Sequence, residues 1–228
     1  SWRDTNVRFE GPAVRQLQAA FAAAWTEATG NLLTGRAKVA SYEDGVAAAG
    51  LLYTSPSIGS TAAERFLALS LGGAQKTIYV TNAYFAPDTN FVDLLAAAAR
   101  RGVDVRILTG GPRTDVRTVR FAGRASYDAL LTAGVRIYEW QPSTLHSKTF
   151  VIDGLWSTIG SMNFDNRSLA LNDETTLMVL DPEIGRQMEE IFSDDLRHSE
   201  EIALEAFRER SWFERILEAC ATLFTRLL

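Results

Sequence analysis

The order of hydrophobic periods along the chain constrains its fold most. A β-type run at 49–54 is followed by a helical run at 62–72, and a strand at 76–81 by a helix from Pro87-Asp88 to Arg101. A strand at 103–108, a helix at 116–133 and a strand at 135–140 continue the alternation. Such an order packs helices on a largely parallel sheet. The pattern then changes. Strands at 146–153, 155–160 and 174–180 have little helix between them, so the sheet becomes mixed. Helices at 182–197, 200–209 and 211–227 complete the chain. The expected class is α/β, a central mixed sheet flanked by helices.

Local signals set the boundaries. Thr61 and Glu64 have capping-box spacing, and Gly102 and Gly134 stop helices. Residues 4–10 read as a strand with Val7 and Phe9 on one face. Gly11-Pro12 opens a helix with an apolar stripe of Val14, Leu17, Phe21 and Trp25, closed by Gly30. Residues 31–47 read as a linker.

Composition narrows the partners. With 46% hydrophobic and 22% charged residues, the 228-residue chain can bury a sizeable core. Its net charge is −5 and no basic cluster exceeds Arg100-Arg101, which argues against a nucleic-acid partner. Cys220, the lone cysteine, cannot form an internal disulfide and is expected to be a buried thiol. No apolar run reaches the roughly 20 residues of a membrane span. Trp212, Phe213, Ile216, Leu217, Cys220, Leu223, Phe224 and Leu227 form a helical stripe, expected to pack on the core, with a membrane interface as the alternative.

Chemistry concentrates in one stretch. His146 and Lys148, two apart on an expected strand, share a face. An ammonium there supplies fixed positive charge to a phosphate, and an imidazole attacks or donates a proton. Gly160 allows close backbone approach, while Ser161 and Asn163 offer neutral hydrogen bonds to phosphate oxygens. Glu174 could orient His146 by accepting from its second nitrogen. The joint pattern His-x-Lys-x4-Asp-x6-Gly-Ser-x-Asn fixes six residue types at set spacing. Chance would give it in about one chain in 10⁵. His198 is expected in an acidic helix and reads as exposed. Tyr84 and Phe85 read as either substrate-flanking or core residues, and Arg167 as a structural ion pair.

That pattern, running from His146 through Asp153 to Asn163, resembles the HKD motif of the phospholipase D superfamily. Asn163-Phe164-Asp165-Asn166-Arg167-Ser168 and Asn172-Asp173-Glu174 are similar to the second motif of bacterial cardiolipin synthases. Tyr84-Phe85-Ala86-Pro87-Asp88 resembles their Pro-Tyr-Phe-x-Pro segment, with Ala83 in place of the first proline. Trp2-Arg3-Asp4-Thr5 and Glu10-Gly11-Pro12 look like the segment that follows the family's first motif.

The resemblance implies a phospholipase D-like α-β-α sandwich. Residues 1–30 would be the last strand and helix of an N-terminal lobe, and 48–228 a C-terminal catalytic lobe. It implies phosphatidyl transfer or hydrolysis through a phosphohistidine, with no cofactor and no metal. Lys148, Ser161 and Asn163 would bind substrate, His146 would serve as general acid/base, and Asp153 would support the fold. The partners implied are a phospholipid, a membrane surface, and the N-terminal lobe or a second copy. The expected location is bacterial, at the cytoplasmic membrane. A nuclease of the same superfamily and an inactive isolated lobe are the competing readings.

Overall fold

The computed structural model describes residues 1–33, 45, 47–55 and 61–223. Most of the expected linker at 31–47, and the helical stripe beyond residue 223, lie outside the described residues. The elements in chain order begin with β1 (Trp2–Arg3), α1 (Val14–Thr29), β2 (Ala48–Thr54), α2 (Ala62–Gly72), β3 (Thr77–Asn82), α3 (Thr89–Arg100) and β4 (Asp104–Gly110). Next come α4 (Arg117–Arg124), α5 (Tyr127–Thr132), β5 (Arg136–Trp140), β6 (Thr144–Leu145), β7 (Lys148–Ile152), β8 (Trp156–Gly160) and α6 (Asn166–Ala170). The chain continues with β9 (Glu174–Leu180), α7 (Pro182–Leu196), β10 (Ser199–Glu201), α8 (Leu204–Arg208) and α9 (Trp212–Thr222).

Eight strands form one sheet in the order β10-β5-β4-β3-β7-β8-β9-β2. β3, β4 and β5 are parallel, as the alternating order requires, and the strands from β7 onward join antiparallel. The mixed sheet expected from the sequence is therefore present. Ile78, Val80, Val105, Ile107 and Ile137 point from its parallel half into the main core, against Leu67, Leu95, Tyr127 and Leu130 of the helices. Burying each such side chain stabilises the fold by about 1.5–3 kcal/mol.

Several boundaries differ from the periodicity. Residues 4–10 are not a strand; only Trp2–Arg3 pairs, in parallel with Thr144–Leu145. The helix expected at 116–133 is two helices, and β10 occupies the start of the expected 200–209 helix. Thr61 flanks α2 without capping it. Gly30 does close α1, in the left-handed conformation at φ 71° that glycine adopts without steric cost.

The apolar stripe of α1 is not covered by described residues. Leu17, Phe21 and Trp25 are exposed, and Ala20 alone among the residues of α1 is buried.

Asp153 turns the β7–β8 hairpin with φ 56°, a left-handed conformation that aspartate tolerates. Its carboxylate accepts from the backbone amides of Gln75, Lys76 and Thr77 at 2.7–3.2 Å. Burial opposes its charge, but these amides hold its pKa below the usual carboxylate value. We expect Asp153→Ala to cost on the order of 2 kcal/mol by leaving donors without acceptors. Urea unfolding checks this, and Asp153→Asn should recover part of the loss.

Candidate active site

The C-terminal ends of β3, β4 and β5 define one end of the sheet. Because β7 runs antiparallel to β3, its first residue, Lys148, pairs with the last of β3, Asn82. The loop after β8 returns to the same end. Asn82 is buried and ties that loop down: its Oδ1 accepts from Phe164 N at 3.0 Å, and its Nδ2 donates to Met162 O at 3.4 Å. Ala86 N donates to Phe164 O at 2.9 Å, so the Tyr84–Ala86 segment runs beside the motif. Phe85 is core, whereas half-buried Tyr84 places its ring centroid 6.0 Å from Lys148 Nζ.

His146, Lys148, Gly160, Ser161, Asn163 and Glu174 line one cavity of about 440 Å³, together with Asp4, Asn172 and Asp173. The structure thus brings together every site residue expected from the sequence except Asp153. That residue sits in the hairpin at the opposite end of β7, consistent with a purely structural part.

His146 lies just before β7 rather than within a strand. Its N–H donates to Arg3 O at 2.8 Å, which extends the β1–β6 pairing. Its ring Nδ1 is 2.9 Å from Asp4 Oδ2, and the Trp2 ring meets it edge-on at 4.8 Å between centroids. A carboxylate at Nδ1 leaves Nε2 with the lone pair and stabilises the imidazolium once Nε2 is protonated. Arg3 anchors this segment by donating to Asp195 of α7 at 2.9 and 2.7 Å.

This geometry corrects one expectation. Glu174 does not orient His146. It is buried at the start of β9, where Ser161 Oγ donates to one carboxylate oxygen and Asn172 Nδ2 to the other at 3.3 Å. The His146 partner is Asp4, which sequence spacing did not single out because it lies 142 residues away. The only signal for Asp4 was its place in the Trp2-Arg3-Asp4-Thr5 text.

Gly160 is required by close packing: an added Cβ would lie 2.7 Å from Thr176 Cα and 2.5 Å from Thr175 O. Lys148 is buried, and its Nζ donates to His146 O at 2.5 Å. Burial lowers its pKa, while Asp4 and Glu174 act in the opposite sense. Arg167 Nε donates to Asn172 Oδ1 at 3.3 Å, and its charge also acts on the Asp165 carboxylate. His198 is exposed, as expected, but lies in the turn between α7 and β10 rather than in a helix.

Asp165 caps α6 by accepting from Ser168 N at 2.8 Å. Burial, reinforced by the Glu174 charge, pushes its carboxyl up to about 6. The folded chain therefore holds this proton more tightly than the unfolded chain, whose value is near 3.8. That contribution to stability is complete below pH about 4 and is lost as pH rises through about 6. Asp165→Asn keeps the cap and removes the buried charge. We expect it to stabilise the chain at pH 7.5 by about 1–3 kcal/mol and to have little effect at pH 4, measured by urea unfolding at both pH values.

The described residues hold no group of three or more His, Cys, Asp or Glu side chains placed to bind a metal.

The fold and the motif are those of the phospholipase D class. Residues 67–196 match the family described as the cardiolipin synthase, PLD-like domain, and the chain belongs to that family. It is 34% identical to a cardiolipin synthase of Halalkalibacterium halodurans over 100% of this chain and 46% of the relative. It is 30% identical to a probable cardiolipin synthase of Bacillus subtilis, again over 100% of this chain and 45% of the relative. The chain thus spans about half the length of the curated relatives it matches. Among solved structures it is similar to a phospholipase D family member, Nuc, from Salmonella typhimurium, with a TM-score of 0.58 at 20% identity over 69% of this chain and 99% of that one. Phosphatidylserine synthase of Haemophilus influenzae aligns with a TM-score of 0.59 at 15% identity over 95% of this chain and 54% of that one. These likenesses carry the fold.

Proposed function

We propose that this chain supplies one half of an active site that transfers a phosphatidyl group between alcohols of phospholipids, as a cardiolipin synthase does. The observation that carries the reading is the single cavity holding Asp4-paired His146 beside Lys148 and Asn163. Lys148 would set its fixed charge against the non-bridging phosphate oxygens, and Ser161 and Asn163 would hydrogen-bond them.

The reaction needs two imidazoles. One attacks phosphorus, forming an N–P bond while the P–O bond to the leaving alcohol breaks. The other donates the proton that the departing alkoxide takes up. That second imidazole then accepts the proton of the incoming alcohol, whose oxygen attacks phosphorus and releases the first histidine. We assign His146 as the second, acid/base imidazole, and place the nucleophile in the other half of the protein. Residues 1–30 are assigned to that other half. The uncovered stripe of α1 supports this, since it would be buried in an N-terminal lobe. We place the protein at the bacterial cytoplasmic membrane, where its substrate lies.

The test uses protein carrying both halves. Given phosphatidylglycerol, it should form cardiolipin and release one glycerol per product, with no cleavage of single-stranded DNA. Cleavage of DNA without lipid turnover would replace this reading with the nuclease one.

A further inference from the structure

Helix α9 is turned inside out. Its apolar side chains face solvent: Trp212 is 73% exposed, Phe213 57%, Ile216 48% and Leu223, just past its end, 79%. Cys220, expected to be a buried thiol, shares this exposure; among the described residues of the stripe only Leu217 is partly covered, so most of that part does not pack on the core as expected. The residues turned inward include Glu218, which is 2% exposed. Glu218 accepts from Arg124 Nε at 3.0 Å and from Arg210 Nε and an Arg210 terminal nitrogen at 3.0 and 2.7 Å. Arg124 also bonds Glu139, itself buried in the sheet. Ion pairs, Ala221 and the half-buried Leu217 thus hold the helix, while Trp212, Phe213 and Ile216 stay exposed.

Two observations identify what covers that arc. The exposed side chains among the described residues of the arc, Trp212, Phe213, Ile216 and Leu223, present on the order of 500 Å². That is less than the roughly 800 Å² per partner that a stable protein interface buries, but ample for an amphipathic helix lying in a lipid interface. The position of the helix is the second. Ala221 packs with Ala86, Val119 and Ala122, and Tyr84 lies against this cluster. The Tyr84 ring in turn neighbours Lys148. The C-terminal turn of α9 is therefore about one layer of side chains from the reaction cavity.

We propose that the outward face of α9 docks on a phospholipid surface and holds the His146 cavity at the lipid–water boundary. The proposal rests on the phosphatidyl-transfer reading for its substrate, but its docking step is measurable without turnover. Arg215 is the sole basic residue of α9 and the chain carries a net charge of −5. Attraction is therefore apolar, and binding should vary little between 0.05 and 0.5 M salt, a range chosen to screen charge.

The experiment is co-sedimentation of the full chain with vesicles of phosphatidylcholine alone and of phosphatidylcholine with phosphatidylglycerol. The chain should partition onto both. Phe213→Ser/Ile216→Ser should partition at least about tenfold less, with unchanged helical circular dichroism, because both residues are exposed. Leu17→Ser/Phe21→Ser on α1 should bind as the unmodified chain does. Brominated lipid should quench tryptophan fluorescence less in Trp212→Phe than in the unmodified chain. Three results would each overturn the proposal: no partitioning of the unmodified chain, equal binding by the α9 double variant, or a dimer that this variant converts to monomer. Protein carrying both halves that docks but transfers nothing would refute the reaction instead.

Discussion

His146→Ala in protein carrying both halves should lower turnover by about 10³-fold or more while leaving the fold intact. Acid/base catalysis by a positioned imidazole is worth about 10²–10⁴-fold, and His146 is the one histidine among the described residues that line the cavity. The fold should survive because the ring is substantially exposed, 38% by side chain, and its contacts with Trp2 and Asp4 lie at the surface. Asp4→Asn separates the ring's orientation from its chemistry. The imidazole remains, but the imidazolium loses its counter-charge and the ring its oriented acceptor, so kcat should fall by about 10–100-fold. Full activity in His146→Ala, measured as cardiolipin formed from phosphatidylglycerol, would remove the residue from the mechanism.

The second large effect concerns completeness. This chain assayed alone as a confirmed monomer should turn over phosphatidylglycerol at least about 10⁴-fold more slowly than protein carrying both halves. Attack on phosphorus and protonation of the leaving oxygen take place on opposite sides of the phosphate, and one imidazole cannot occupy both places in a single step. The charges of the cavity support the expectation: among the described residues that line it, Asp4, Asp173 and Glu174 stand beside one cation, Lys148. A bound phosphodiester would need further positive charge or donors from outside this chain. Adding the upstream half in trans should restore activity and bury the α1 stripe. Rates equal to those of the two-lobed protein, with monomer confirmed by sedimentation, would show that one motif suffices.

The order β-α-β-α and the later run of strands were legible because side-chain period follows backbone geometry within ten residues or so. That order determined the parallel half, the mixed sheet and the placement of His146, Lys148 and Asn163 at one sheet end. The motif spacing determined the chemical class, because those residue types at that spacing suit a phosphate.

What the sequence left undecided were contacts between distant segments. The pairing of Asp4 with His146 depends on β1 lying parallel to β6, and two residues of strand carry no readable period. Glu174 was expected at His146, but the close β8–β9 pairing at Gly160 hands it to Ser161 instead. The apolar stripe of α9 was plain, yet its direction was not. A stripe reveals that a helix is amphipathic, while the buried arginines that draw Glu218 inward belong to other elements. Only the tertiary structure decides which face of such a helix meets the protein, because buried charge must find a partner before apolar surface finds cover.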